Sequence, residues 1–457
     1  MTIQITLFIK KYLAFIVIGF SIFALIYNII HYDPLQGYDA EAHYNYFYFI
    51  SMYLPQSFNL PSLESTREFF NPPLPYLFPA FFQVICRNVI TSADYIKDCS
   101  LGVGTATQIF QTILYILTFL FYLKSFKLLK NNSRIINVNL ILMISLLSVN
   151  YRTISMIRGE PYILFFNSIL IYLLILLIKK DFKYTKNEIF LFGLLIGLMA
   201  LSRQWAFLLM PAYFIIIKYI SRNSIQLYLK FISSAFIFGF IISSWFYFTL
   251  FFEYGSFTAF NMEPKKFNLM NQPLNFYFPF NSEASMIFSK PIRPNFPNQL
   301  IPILYSDLWG DYWGYFVFTS RDLVLGRSQM IIGDYLARVN IVSLIPTFVM
   351  IIGLSNYRKL KGSKTFHGYI LISALITFLG YMWFLVTYPT LPTGDTIKST
   401  YIIQLFHLIA IISASYLEDL EKSNLKRYIV VISSLAFCYF YNFSAYLSHF
   451  PIKFYTI

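Results

Sequence analysis

Residues 12–30 read YLAFIVIGFSIFALIYNII, nineteen consecutive positions without a charged side chain. About 20 such residues carry an α-helix across the hydrocarbon of a bilayer. Lys10 and Lys11 stand directly before the run. It is too long for a typical secretory h-region and has no small-residue cleavage site, so it is expected to stay in the protein as a first membrane helix. Similar runs recur near residues 104–123, 135–151, 160–178, 189–202, 204–220, 231–252, 337–355, 367–388, 399–416 and 428–447. Eleven spans are therefore expected, with the region around Arg203, where two short runs meet, open to being one broken helix.

Composition agrees. Of 457 residues, 57% are hydrophobic and 12% charged, about half the charged share of a soluble domain. A net charge of +14 does not mark a nucleic-acid binder, because the basic residues gather at the ends of apolar runs and form no polar face. Anionic lipid headgroups are the simpler partner.

Charge orients the chain. With the N-terminus inside, the cytoplasmic side collects 20 of the 35 basic and 5 of the 21 acidic residues. That is the asymmetry of the positive-inside rule. The C-terminus then lies outside, and two long external loops follow, residues 31–103 and 253–337. The cytoplasmic loops are too short for a nucleotide-binding fold, and no Gly-rich phosphate loop is present. Of the three cysteines, Cys438 lies in an apolar run, while Cys86 and Cys99 share the first external loop. A bridge between them and two free thiols are both compatible with the spacing.

Candidate chemistry gathers on the external side. Gly37-Tyr38-Asp39-Ala40-Glu41-Ala42-His43 follows the first span, and ionisable groups at a membrane surface are functional candidates. A carboxylate against an apolar wall can serve as a base, and on a helix Asp39 and His43 share a face. In the same loop, Asn71-Pro72-Pro73-Leu74-Pro75-Tyr76 would start a helix returning to the membrane. Ser202-Arg203-Gln204-Trp205 places an arginine at a helix junction, where its fork suits phosphate. Ser306-Asp307-Leu308-Trp309-Gly310-Asp311-Tyr312-Trp313 interleaves carboxylates for sugar hydroxyls with rings for an apolar sugar face. Lys398 opens the tenth expected span with Gly394-Asp395 before it, and Arg158-Gly159-Glu160-Pro161 opens the fourth.

Asp39-x-x-x-His43 soon after a first helix, followed by Asn71-Pro-Pro-Leu-x-Tyr76, resembles the GT-C glycosyltransferases. The resemblance is to the branch of protein O-mannosyltransferases and lipid A aminoarabinose transferases. Ala40 stands where that branch usually has Glu, and Asn71 where it often has His, so a second carboxylate would have to come from Glu41. An Arg-Gln pair like Arg203-Gln204 looks like an element that some GT-C enzymes keep near the lipid phosphate. A string similar to Trp309–Trp313 occurs in some bacterial GT-C relatives.

The resemblance implies a single all-α polytopic domain over 1–457, GT-C-like, with about eleven transmembrane helices and short amphipathic helices in the external loops. It implies an inverting transferase that moves a sugar from a polyprenyl-phosphate donor to a glycan, lipid or protein acceptor on the non-cytoplasmic side. A bacterial inner membrane with the site facing the periplasm is the expected setting. Asp39 would be the base, with Glu41 and His43 orienting it. Arg203, Lys398 and Arg158 would bind the lipid phosphate, and Asp307, Trp309, Asp311, Trp313, Asn71 and Tyr76 the sugar or acceptor. No cofactor is firmly implied. Asp39, Asp307 and Asp311 could ligate a divalent metal, although the nearer relatives mostly work without one. The alternatives are a polytopic transporter or flippase, and an O-antigen polymerase or ligase relying on Arg293, Arg321, Arg327 and Arg338.

Overall fold

A computed structural model describes residues 12–37, 39–89, 95–130, 134–259, 265–279, 284–291, 298–317, 329–360, 363–389 and 396–449. Tyr38, Lys10, Lys11, Gly394 and Asp395, and the loop residues Arg293, Arg321 and Arg327, lie outside the described residues. The principal helices are α1 (Ala14–His31), α2 (Ala40–Tyr53), α3 (Leu74–Val89), α4 (Tyr95–Lys130) and α5 (Arg134–Ser145). They continue with α6 (Ser148–Ser155), α7 (Glu160–Lys179), α8 (Lys186–Ala200), α9 (Arg222–Tyr254) and α10 (Leu300–Trp309). The last are α11 (Gln329–Val342), α12 (Leu344–Ser355), α13 (Lys364–Thr387), α14 (Ile403–Ser423) and α15 (Leu425–Tyr441). Among the described residues no strand forms.

Among the described residues, seven segments are long and apolar enough to cross a bilayer: Ala14–His31, Cys99–Leu129, Glu160–Lys179, Arg222–Tyr254, Gly333–Ser355, Lys364–Thr387 and Ser399–Ser423. The protein is a multi-pass, all-helical integral membrane protein. The count differs from the eleven runs in the sequence for local reasons. The run at 135–151 is split into α5 and α6, which meet at 64°. At the break the Ile144 carbonyl accepts twice, from the Leu147 N–H at 3.2 Å and from Asn150 Nδ2 at 2.9 Å, a side chain entering the backbone ladder where the helix bends. The run at 204–220 is a chain of 3-10 turns around a single α-turn at Pro211–Ile215. The remaining two runs give α8 and α15, of 15 and 17 residues, shorter than the average crossing of about 20 residues.

The Cα positions group into two compact units. One comprises Met1–His31, Leu129–Arg152 and Pro264–Ile457; the other comprises Tyr32–Leu128 and Thr153–Glu263. In the first unit α14 is the central element, packed against α5, α12, α13 and α15. The most apolar 18-residue stretch of the Ser399–Ser423 segment is 83% buried, which its small and amide side chains permit in hydrocarbon.

In the second unit the main pair is α8 against α9. Gly193 and Gly197 of α8 are one turn apart. A Cβ on Gly193 would lie 2.6 Å from the Ala235 carbonyl of α9, and one on Gly197 2.7 Å from Ile242 Cβ. The backbones approach this closely only because both positions lack a side chain. The segment after the first span contributes α2 and α3. They pack through Tyr46, Phe47 and Ile50 against Tyr76 and Ala80, with Val103 and Ile157 closing the cluster.

Cys86 and Cys99 are joined as a disulfide that links α3 to α4, and Cys438 is free and buried. Intact-mass analysis after maleimide labelling of the denatured chain should therefore show one modified thiol without reductant and three with it. Three modified thiols without reductant would remove the bridge.

Candidate active site

Asp39 caps α2 with φ 52° and ψ 23°, in the left-handed region. Asp tolerates that region better than most residues, but it is still a strained position of the kind found at functional sites. An N-cap Asp usually turns its carboxylate onto the helix's own N–H groups. Asp39 makes no such cap bond. Its carboxylate is instead held by the Arg67 guanidinium, and it keeps 23% of its side-chain surface exposed.

Thr66 Oγ1 donates to the Ala42 carbonyl at 2.7 Å, which fastens the 62–71 segment to the first turn of α2. His43, one turn past Asp39, is buried and pairs through Nδ1 with the Tyr76 hydroxyl at 2.7 Å. Tyr76 also stacks on Tyr46, with centroids 3.9 Å apart. Glu41 is exposed on the other side of α2.

The carboxylate that accompanies Asp39 is Glu68. It is 6% exposed, and its Oε2 accepts from the Asn71 amide. Arg203 lies between two carboxylates, with Nη1 3.7 Å from Glu68 Oε2 and Nε 3.2 Å from Glu160 Oε1. Burial pushes the Glu68 carboxyl above its ordinary range, Arg203 pulls it back, and the charge of Asp39 pushes it up again.

Backbone geometry makes this convergence possible. A Cβ on Gly159 would lie 2.3 Å from the Ser202 carbonyl. Only glycine lets the start of α7 press so closely on the end of α8. Arg203 follows in extended conformation. The 3-10 turn after it anchors the loop a second time: Gln204 Nε2 donates to the carbonyls of Phe70 and Thr258, both at 2.9 Å. Leu74 N–H donates to the Leu201 carbonyl at 3.1 Å. Asn71, Tyr76, Arg158 and Arg203, all singled out in the sequence, thus gather with Asp39 and His43 in one unit. Asn71 and Tyr76 are buried, with Asn71 spending its amide on Glu68 and its carbonyl on the Tyr46 hydroxyl at 2.8 Å. Arg158 is 0% exposed.

The other predicted residues gather in the other unit, around an arginine that the sequence reading passed over. Arg152 is buried, with Nη2 3.0 Å from Asp307 Oδ1 and Nη1 3.7 Å from Asp311 Oδ1. It also donates to the Gly310 and Asp307 carbonyls at 2.7 and 2.8 Å. Asp307 accepts from the Ser399 N–H and hydroxyl at 2.7 and 2.6 Å. Asp311 accepts from the N–H groups of Tyr315, Phe316 and Val317. Burial raises the Asp311 carboxyl, and Arg152 and these N–H groups oppose the shift.

Trp309 and Trp313 are each 2% exposed, and Trp313 Nε1 donates to the Ile397 carbonyl at 2.9 Å. Lys398 is half-buried, with Nζ 5.5 Å from the centre of the Tyr401 ring. The carboxylates expected to meet sugar hydroxyls are thus engaged with Arg152 and backbone. The 307–317 string folds as a buried knot tied to the 397–399 segment. Among the described residues, no three His, Cys, Asp or Glu side chains converge on a point that could hold a metal ion.

No protein-family model and no curated protein sequence matches the chain. Among solved structures it is similar to the oligosaccharyltransferase of Archaeoglobus fulgidus. The crystal structure of that protein in the apo form aligns with TM-score 0.49 at 13% identity, covering 96% of this chain and 57% of that chain. A crystal structure of it tethered to an acceptor peptide containing the NVT sequon aligns with TM-score 0.48 at 14% identity, covering 98% and 56%. Its complex with an inhibitory peptide and a dolichol-phosphate aligns with TM-score 0.45 at 13% identity, covering 97% and 57%. The chain spans a little over half the length of that protein.

The buried carboxylates make two predictions. Glu68 binds its proton more tightly folded than unfolded, so the folded state holds more protons as pH rises above 4.5, the ordinary value. Stability should fall across that range. Glu68→Gln should flatten the fall, read as thermal unfolding in detergent at several pH values; an identical slope in the variant would reject the assignment. Arg203→Ala strands Glu68 and Glu160 and should cost about 3–5 kcal/mol, whereas the exposed Arg67→Ala should cost less than about 1 kcal/mol. Equal losses in chemical unfolding would contradict the burial of the Arg203 group.

Proposed function

We propose that this protein is a membrane glycosyltransferase of the GT-C type. On this reading it moves a sugar from a polyprenyl-phosphate-linked donor to a hydroxyl acceptor on the non-cytoplasmic face, in a bacterial inner membrane. The observation that carries the reading is the first external segment. Asp39 is held there in a strained, uncapped and partly exposed position by Arg67, beside a buried Glu68–Arg203–Glu160 network. A carboxylate that declines its own helix and is aimed by an arginine is positioned for work outside the fold.

The acceptor hydroxyl attacks the anomeric carbon while Asp39 takes its proton. The carbon–oxygen bond to the donor breaks, and its electron pair leaves with the lipid phosphate. Inversion follows from a single displacement. Negative charge grows on the departing phosphate, and fixed cations lower the barrier where charge develops. Arg67, exposed beside Asp39, and the buried pair Arg158 and Arg203, both felt by Glu68, are the cations this reading assigns to that role. His43 and Tyr76, hydrogen-bonded to each other, hold the first turn of α2 and so orient Asp39. Asn71 fixes Glu68. Asp307, Asp311, Trp309, Trp313 and Lys398 then act by shaping the second external segment.

One observation favours transport instead: the 64° break between α5 and α6 and the 3-10 chain after Arg203 are the kind of interrupted helices found at transporter sites. Purified protein with a panel of polyprenyl-phosphate sugars separates the two readings. Wild type should release polyprenyl phosphate in the presence of acceptor, and Asp39→Asn should lower that turnover about 10²–10⁴-fold, the usual contribution of a general base. Equal turnover in the variant would remove Asp39 from the chemistry. Movement of lipid-linked sugar across liposomes with no bond cleavage would favour the transporter.

A further inference from the structure

The Gly333–Ser355 span carries one face on which Asp334, Arg338, Ile341, Ile345, Phe348 and Ile352 follow at helical spacing. All six are exposed. The apolar four form the stripe that a span turns toward lipid tails. The charged two lie at the end that the charge asymmetry assigns to the outer surface, about 6 Å apart along the axis. At that end the face borders a groove of about 480 Å³, lined by Phe288, Ser289, Asp334, Ala337, Arg338, Ile341, Val342 and Tyr441. The Arg338 guanidinium is flanked by the Tyr335 and Tyr441 rings, 5.4 and 5.6 Å from their centres. Two aromatic faces hold the cation at the depth where lipid headgroups lie.

We propose that this groove binds a glycerophospholipid with a primary-amine headgroup, such as phosphatidylethanolamine. Arg338 takes the phosphate, Asp334 takes the ammonium, and an acyl chain runs down Ile341 and Ile345. Charge complementarity selects this occupant. A lipid carrying only a phosphate would meet Asp334 with nothing to offer it. A choline headgroup has no N–H to donate to a carboxylate and would seek aromatic faces, and here Arg338 already covers both tyrosines. An ethanolamine phosphate answers an arginine and an aspartate together, each through a charge-assisted hydrogen bond.

The test uses the purified full-length chain, delipidated in detergent and incubated with equal amounts of phosphatidylethanolamine, phosphatidylcholine and phosphatidylglycerol, with retained lipid read by native mass spectrometry. Wild type should retain the ethanolamine lipid about fivefold over either competitor. Asp334→Asn should erase its advantage over phosphatidylglycerol, Arg338→Gln should lower retention of all three, and Ile341→Trp should fill the groove and do the same. All three positions are exposed, and thermal unfolding reports that the variants fold. Equal retention of the three headgroups, or retention unchanged by the three substitutions, would overturn the proposal. So would displacement of the ethanolamine lipid by a lower concentration of polyprenyl phosphate, which would give the groove to an isoprenoid lipid.

Discussion

Arg203 between Glu68 and Glu160 is the interaction on which the external part of the second unit depends. Desolvating a guanidinium and two carboxylates is unfavourable by several kcal/mol per ion, and their attraction offsets this only with close geometry and further hydrogen bonds. The chain supplies both. Gly159 lets α7 and α8 touch backbone to backbone. Asn71 takes up Glu68, and Gln204 beside Arg203 fixes the Phe70 carbonyl. An apolar replacement could give equal stability, so the ionic arrangement is better understood as fixing register: one position of the 62–71 segment brings Glu68 to Arg203, and that position places Arg67 on Asp39.

The same device recurs in the other unit, where Arg152 lies between Asp307 and Asp311. There the remaining carboxylate oxygens are taken by backbone N–H groups and Ser399 rather than by amides. In each unit a buried arginine on a helix end gathers an external segment that has little regular structure of its own. Non-helical backbone close to a membrane is tolerated where protein satisfies its polar groups, and these two arginines with their partners do that. The difference between them is access. The Arg152 knot encloses both of its carboxylates, whereas the Arg203 network leaves Asp39 partly open at its edge.

What the sequence disclosed and what it hid follow from range. Uncharged runs announced the membrane helices, since hydropathy is a local property. Asn71-Pro-Pro marked the start of α3, because proline acts on its own backbone. Hidden were the pairings. Glu41 drew attention as the neighbour of Asp39, yet a helix turns adjacent residues to different faces, and Glu41 is exposed. Glu68 stands in an ordinary polar string, and its partner is Arg203, far along the chain. Arg152 stands just past the apolar run at 135–151, where nothing local sets it apart. The bend that precedes it, at residues 146–147, is bridged by Asn150 and Tyr151 side chains to the Ile144 and Ser145 carbonyls, which no periodicity reports. Asp307 and Asp311 looked available because they alternate with rings, and alternation says nothing about which carboxylates an arginine has already taken.

Burial separates the two carboxylates of the first external segment into different tasks. Glu68, sealed and held by Asn71 and Arg203, has no path to a substrate; it acts on charge, and its proton affinity follows the field around it. Asp39 has a path, a strained backbone and an exposed partner in Arg67. A partner of that kind can be drawn away by a phosphate, which competes well for a guanidinium. On the proposed glycosyltransferase reading, arrival of an anionic donor would then loosen Asp39 as its proposed base role begins, while the Glu68–Arg203 network keeps the loop in register. The exposed Arg67–Asp39 contact would in that case act as a latch, and the buried network as the frame that holds the latch in place.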